Sequence, residues 1–165
     1  MSAVGMVGAS PVPRPAIVVA FKTFYLTPGD LKTGIIFSDY PLQEGQGMHG
    51  GFGRDQTWSN MAAAGPDFKK GWVDEEPTGN VDIVPTLARL LGLTMPDTGK
   101  LKGRVLDEAL AKGETHAAAP LKTLASAPTS NGVTTVLEYE EENGVRYDNR
   151  ACLIIAPKDA APHCP

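Results

Sequence analysis

The sequence has no long hydrophobic run. Its apolar stretches, such as Ile17 to Phe21, fall far short of the roughly 20 residues a membrane-spanning helix needs. It has no excess of basic charge either. Fifteen Lys and Arg stand against nineteen Asp and Glu, interspersed, for a net charge of −4. That balance argues against a nucleic-acid-binding surface, which needs a basic patch to neutralise phosphates. Met1 to Pro15 is rich in small residues but lacks a basic segment followed by an apolar core, so it does not read as a signal peptide. Cysteine is scarce: Cys152 and Cys164 both lie near the C-terminus. Either they close a short terminal loop in an oxidising compartment or they are two free thiols. No G-x-S-x-G nucleophile elbow occurs, and no internal repeat.

What is present suits a soluble globular chain: 165 residues, 42% hydrophobic and 21% charged, enough for one domain with a core. Eighteen glycines and fourteen prolines predict many turns and long connections, where sites tend to sit. Residues 1–14 read as a flexible arm. Ala16 to Phe24 and Gly34 to Ser38 read as strands, separated by a Pro28-Gly29-Asp30 turn. Residues 39–60 show no helical period and read as one long loop, of the kind that is usually functional. Met61 to Ala64 reads as a short buried strand before Gly65-Pro66.

The clearest helix begins near Asp82, with Pro85 tolerated in its first turn. Ile83, Leu87, Leu90 and Leu91 share one face, and Gly92 ends it. A second short helix is predicted over 103–112, its apolar side formed by Val105, Leu106, Ala109 and Leu110. Residues 114–131, rich in Ala, Pro, Ser and Thr, read as a linker. Residues 132–165 read as a β-hairpin and a loose tail, with strands Val133 to Tyr139 and Val145 to Ile155 around the turn signal Asn143-Gly144.

Gly45-Gln46-Gly47-Met48-His49-Gly50 matches G-x-G-x-x-G. A dinucleotide site needs that motif to join a strand directly to a helix N-terminus. Here the preceding apolar run ends several residues earlier and Gly51-Phe52-Gly53 is a poor helix start, which argues against the cofactor. His49-Gly50-Gly51 is similar to the oxyanion loop of lipases, but the nucleophile elbow that fold requires is missing. The third reading makes His49 a metal ligand on a tightly folded glycine loop, against a hydrogen-bonded surface histidine. His116 and His163 lie in Ala/Pro-rich stretches and read as exposed, and His163-Cys164 is too isolated for a zinc site of three or four protein ligands.

The stretch Gly45 to Leu93 adds three ordered elements: Gly47-Met48-His49-Gly50, Ala63-Ala64-Gly65-Pro66-Asp67-Phe68, and Asn80-Val81-Asp82-Ile83-Val84-Pro85-Thr86-Leu87 running on to Leu90-Leu91-Gly92. This block resembles the C-terminal part of the type I phosphodiesterase/nucleotide pyrophosphatase family of the alkaline phosphatase superfamily. The resemblance implies an α/β fold over 15–113: the C-terminal portion of an alkaline-phosphatase-like sheet flanked by helices. It implies a hydrolase acting on a phosphodiester or nucleotide substrate through two zinc ions, with His49 as one ligand. Relatives are often exported, which implies a periplasmic or secreted location.

The family's remaining ligands and its Ser or Thr nucleophile precede this block. Here the preceding residues hold only Asp30 and Asp39 and no D-x-x-x-H. The expectation is therefore a C-terminal fragment, inactive alone, with no catalytic or cofactor-binding residue of its own and the missing N-terminal segment as partner. A fragment should expose apolar strand edges on its N-terminal side. The alternatives are a stand-alone non-catalytic binding or subunit module of the same fold, or a fragment of a phosphatase or sulfatase relative. Thr57 and Ser59 read as loop polar groups, and Thr78 has no nucleophile context. Asp82 reads as a helix cap rather than a ligand. Phe52, Trp58 and Trp72 read as packing residues, with nucleobase stacking as the functional alternative. Arg54 reads as an exposed loop arginine, with phosphate contact as its alternative.

Overall fold

The computed structural model describes residues 11, 16–17, 19, 21–36, 43–47, 49, 51, 54–96, 102–155 and 164. It is a mixed α/β arrangement with two small antiparallel sheets and few helices. In order, the elements are β1 (Thr23–Tyr25), a 3-10 turn (Leu31–Thr33), β2 (Gly34–Ile36) and α1 (Arg54–Thr57), then a 3-10 turn (Asn80–Asp82) running into α2 (Ile83–Leu90). A 3-10 turn (Asp107–Ala109), β3 (Lys122–Ala125), β4 (Val133–Glu142) and β5 (Val145–Ile155) follow. One sheet pairs β1 with β2, and the other has the order β3-β4-β5.

The chain divides into two compact units. The first comprises Met1–Ala16, Met61–Leu121 and Glu140–Tyr147. Its helix is α2, and Phe68 forms an isolated bridge with Leu110. Flanking bonds run from Lys69 N–H to the Ala109 carbonyl (3.0 Å) and from Ala111 N–H to that of Asp67 (2.8 Å). Its interior is unusually polar: Ala88, Leu106 and Ala119 are buried beside Glu76, Asp82, Thr86, Arg104 and Glu108.

The second unit comprises Ile17–Asn60, Lys122–Tyr139 and Asp148–Pro165. In its small sheet Thr23 faces Ile36 and Tyr25 faces Gly34. Asp30 accepts the Lys32 N–H (3.0 Å) and so caps the turn between β1 and β2. The Thr23 hydroxyl donates to the Asp55 carboxylate (3.0 Å), tying β1 to α1. β4 alternates as a half-buried strand should, with Thr134, Val136 and Glu138 turned inward. In the first unit, Asn143 and Gly144 take φ of 49° and 76°, the two positive values that a two-residue I′ hairpin turn requires and that Asn-Gly supplies at low steric cost.

Several expectations need correction. β1 is shorter than the sequence suggests, while β2 forms over the described part of the second predicted strand, whose residues 37–38 lie outside the described residues. Met61 to Ala64 is no buried strand: it is irregular and exposed, and Phe68 makes the bridge instead. The predicted helix over 103–112 is reduced to the turn Asp107–Ala109. Its first backbone donors are taken by tertiary partners, Arg104 N–H by the Asp82 carboxylate (2.8 Å) and Leu106 N–H by the Thr86 hydroxyl (3.0 Å). Those donors would be free at a helix start in any case, but Ala111 N–H, which a helix needs for its i→i−4 bond, goes to the Asp67 carbonyl (2.8 Å) beside the Phe68–Leu110 bridge. The stretch read as a linker contains β3, which pairs Lys122 with Tyr139 and Ala125 with Val136. All four β3 residues are exposed, so no burial pattern marked it.

The main difference concerns α2. The helix forms where expected and Gly92 follows it at φ 64°. Its aliphatic face, however, is largely outside: Ile83, Val84 and Leu87 are exposed, Leu91 is 70% exposed, and Leu90 is half-buried. The opposite side, Thr86 and Ala88 with Asp82 at its base, is buried.

Candidate functional site

His49 stands in the loop between β2 and α1, exposed. Of the other letters of its glycine motif, Met48 and Gly50 lie outside the described residues, as do Phe52, His163 and Asp39. The first helix after the motif among the described residues, α1, is a single turn of four residues.

A second assembly of polar groups, inside the first unit, was not foreseen as a cluster. Asp82 is fully buried, with 0% exposure. Its Oδ2 accepts the Gly79 N–H (2.8 Å) and its Oδ1 the Arg104 N–H (2.8 Å). It therefore closes the 3-10 turn that leads into α2; it stands at the N-cap position the sequence suggested, but its side chain caps no N–H of α2. From that position it also fixes the 102–106 segment, which a simple cap does not do.

The Arg104 guanidinium lies at the centre. Nε donates to the Tyr147 hydroxyl (3.1 Å), Nη1 to Glu108 Oε2 (2.8 Å) and Nη2 to the Pro77 carbonyl (3.0 Å). Nη2 also pairs with Glu108 Oε1 at 2.5 Å and lies 3.8 Å from Glu76 Oε2. Glu76 Oε1 accepts the His116 N–H (3.2 Å), which ties a fourth segment to the cluster. Thr86 completes it by donating to the Asp82 carbonyl (2.7 Å) and accepting from Leu106 N–H.

The electrostatics follow from burial and pairing. Burial works against the charge on Arg104, yet the hydrogen bond and negative charge of Glu108 outweigh it and hold the guanidinium above its ordinary pKa. Burial, then the charge of Asp82, raises the Tyr147 phenol, which stays neutral. Burial is also the main cause that raises Asp74, followed among the raising causes by the nearby charges of Glu108 and Glu76. Every nitrogen of Arg104 is engaged, so the cluster presents no free cation to a phosphate. It is a polar core that holds four chain segments in register. One weak sequence signal for it was the Arg104–Glu108 pair of opposite charges four residues apart. Its link to Asp82 needed the tertiary structure.

The other candidates separate. Trp58 is exposed, and Trp72 is half-buried with the Lys69 ammonium 4.9 Å above its ring. Thr57 donates to the Asn149 carbonyl, and Ser59 is exposed. Cys152 and Cys164 form a disulfide with Cα atoms 5.8 Å apart, which settles the pairing left open above.

No family model, curated protein or solved structure matches the chain. Zinc, which the resemblance implies, finds no complete ligand set among the described residues: no group of three or more His, Cys, Asp or Glu there could hold a metal ion. One exposed imidazole does not fix a zinc ion, which takes three or four protein ligands. No helix among the described residues is long and apolar enough to cross a membrane.

Proposed function

We propose that this chain is the C-terminal part of a metal-dependent phosphodiesterase or nucleotide pyrophosphatase of the alkaline phosphatase superfamily, in which His49 contributes one zinc ligand. The observation that carries the proposal is the ordered block from Gly45 to Leu93, with its histidine loop, its Gly65-Pro66 segment and its Asp82–Thr86 helix start. The exposed apolar rows support it. Ile17, Val19 and Phe21 alternate along the chain and are exposed, as are Ile83, Leu87 and Leu91 on α2. Such surfaces suit the sheet edge and helix face of a larger α/β domain, covered by further elements.

Among the described residues no group could hold a metal ion, and a two-metal site needs ligands for both ions, about 3.5–4 Å apart. The test is hydrolysis of a chromogenic phosphodiester with added zinc. The chain alone should show none. Activity should appear when it is combined with the N-terminal portion of a family phosphodiesterase, and His49→Ala should abolish it. Zinc-dependent turnover by the chain alone, or complemented activity indifferent to His49→Ala, overturns the proposal.

A further inference from the structure

The region around the disulfide does more than join two sulfurs. Glu138, on the inward face of β4, is 2% exposed. Its Oε1 accepts the Cys164 N–H (2.9 Å) and its Oε2 the Arg150 Nε–H (2.6 Å). Arg150 in turn donates from Nη2 to the Cys164 carbonyl (2.9 Å). The backbone of Cys164 is therefore gripped at both its donor and its acceptor by an ion pair built on adjacent strands, while its sulfur bonds Cys152 of β5. None of these polar contacts uses the sulfur.

We propose that Glu138 and Arg150 form a backbone clamp that presents Cys164 to Cys152, which makes this disulfide a self-templated redox latch between Cys164 and β5. The latch is closed in an oxidising compartment and is opened by a dithiol reductant. The reductant's thiolate attacks Sγ of Cys152, which is half-buried, rather than that of Cys164, which is buried. The S–S bond breaks, and Cys164 leaves as a thiolate that takes up a proton. The reductant's second thiolate then displaces Cys152, giving a disulfide within the reductant and two protein thiols, with two electrons transferred. The clamp outlasts this step and keeps the two thiols paired for reoxidation.

The test uses the whole chain. It is reduced under native conditions and pulsed with iodoacetamide, and alkylation at each cysteine is followed by mass spectrometry. Cys164 should react more slowly than Cys152, because the clamp holds Cys164 buried while Cys152 is half-buried. Glu138→Gln should remove that difference. It should also lower the equilibrium constant for disulfide formation against a dithiol redox series about tenfold. Equal alkylation of the two cysteines in the wild-type chain overturns the clamp, whatever the variant does. An unchanged redox equilibrium in a folded Glu138→Gln variant overturns the templating.

Discussion

Replacing Arg104 with methionine tests the central claim about the polar core. The guanidinium side chain is 5% exposed and that of its main partner, Glu108, is 2% exposed. Methionine conserves much of the volume but leaves Glu108 as a buried carboxylate whose strongest counter-charge is gone. Breaking such a pair from one side costs about 3–5 kcal/mol. Set against a total stability of about 5–15 kcal/mol for a domain, that is a large fraction. With a urea m-value of about 2 kcal/mol/M, the midpoint should fall by about 1.5–2.5 M. The double replacement Arg104→Met with Glu108→Leu removes both charges and should recover most of the loss. Urea melts followed by far-UV circular dichroism on the four proteins of the cycle give the answer. A single-variant loss below about 1 kcal/mol means the pair is solvated and the core reading is wrong. A double variant as unstable as the single one means the loss came from packing and not from an orphaned carboxylate.

Two further outcomes follow from the same geometry. Thr86→Val should cost about 1–3 kcal/mol, because Leu106 N–H loses its buried acceptor, while Leu87→Ala on the exposed face of α2 should cost no more than about 1 kcal/mol. Urea melts that rank the two the other way would restore the burial pattern read from the sequence. Asp74 titrates above its usual 3.8, mainly through burial. Its contribution to stability is therefore present below pH 3.8 and is lost as the pH rises through the folded value. Asp74→Asn should remove that loss and raise stability at neutral pH, and a stability profile parallel to that of the wild type would contradict it.

Parts of this protein were fixed by local chemistry, and those parts could be read without coordinates. Asn143-Gly144 selects a two-residue turn with positive φ at both positions, whatever surrounds it, and the β4–β5 hairpin forms there. α2 also forms where its sequence places it, and Gly92 ends it in the left-handed region. Which side of α2 faces inward was not legible. Periodicity reports that Ile83, Leu87 and Leu91 share a face, but not whether anything covers that face. Asp82 and Thr86 are on the other side because they supply acceptors for Arg104 N–H and Leu106 N–H. The bridge of Leu110 to Phe68 and the bond from Ala111 N–H to the Asp67 carbonyl keep residues 103–112 from becoming the helix their apolar spacing predicts. The candidate site divides the same way. His49 was conspicuous because a histidine among glycines is chemically unusual, whereas Arg104, Glu76 and Tyr147 are distant along the chain and unremarkable singly. Local propensities and turn geometry act over a few residues, so the sequence by itself determined the hairpin and the helix. Buried polar groups must find partners wherever the chain supplies them, so only the tertiary structure decided which residues form the core.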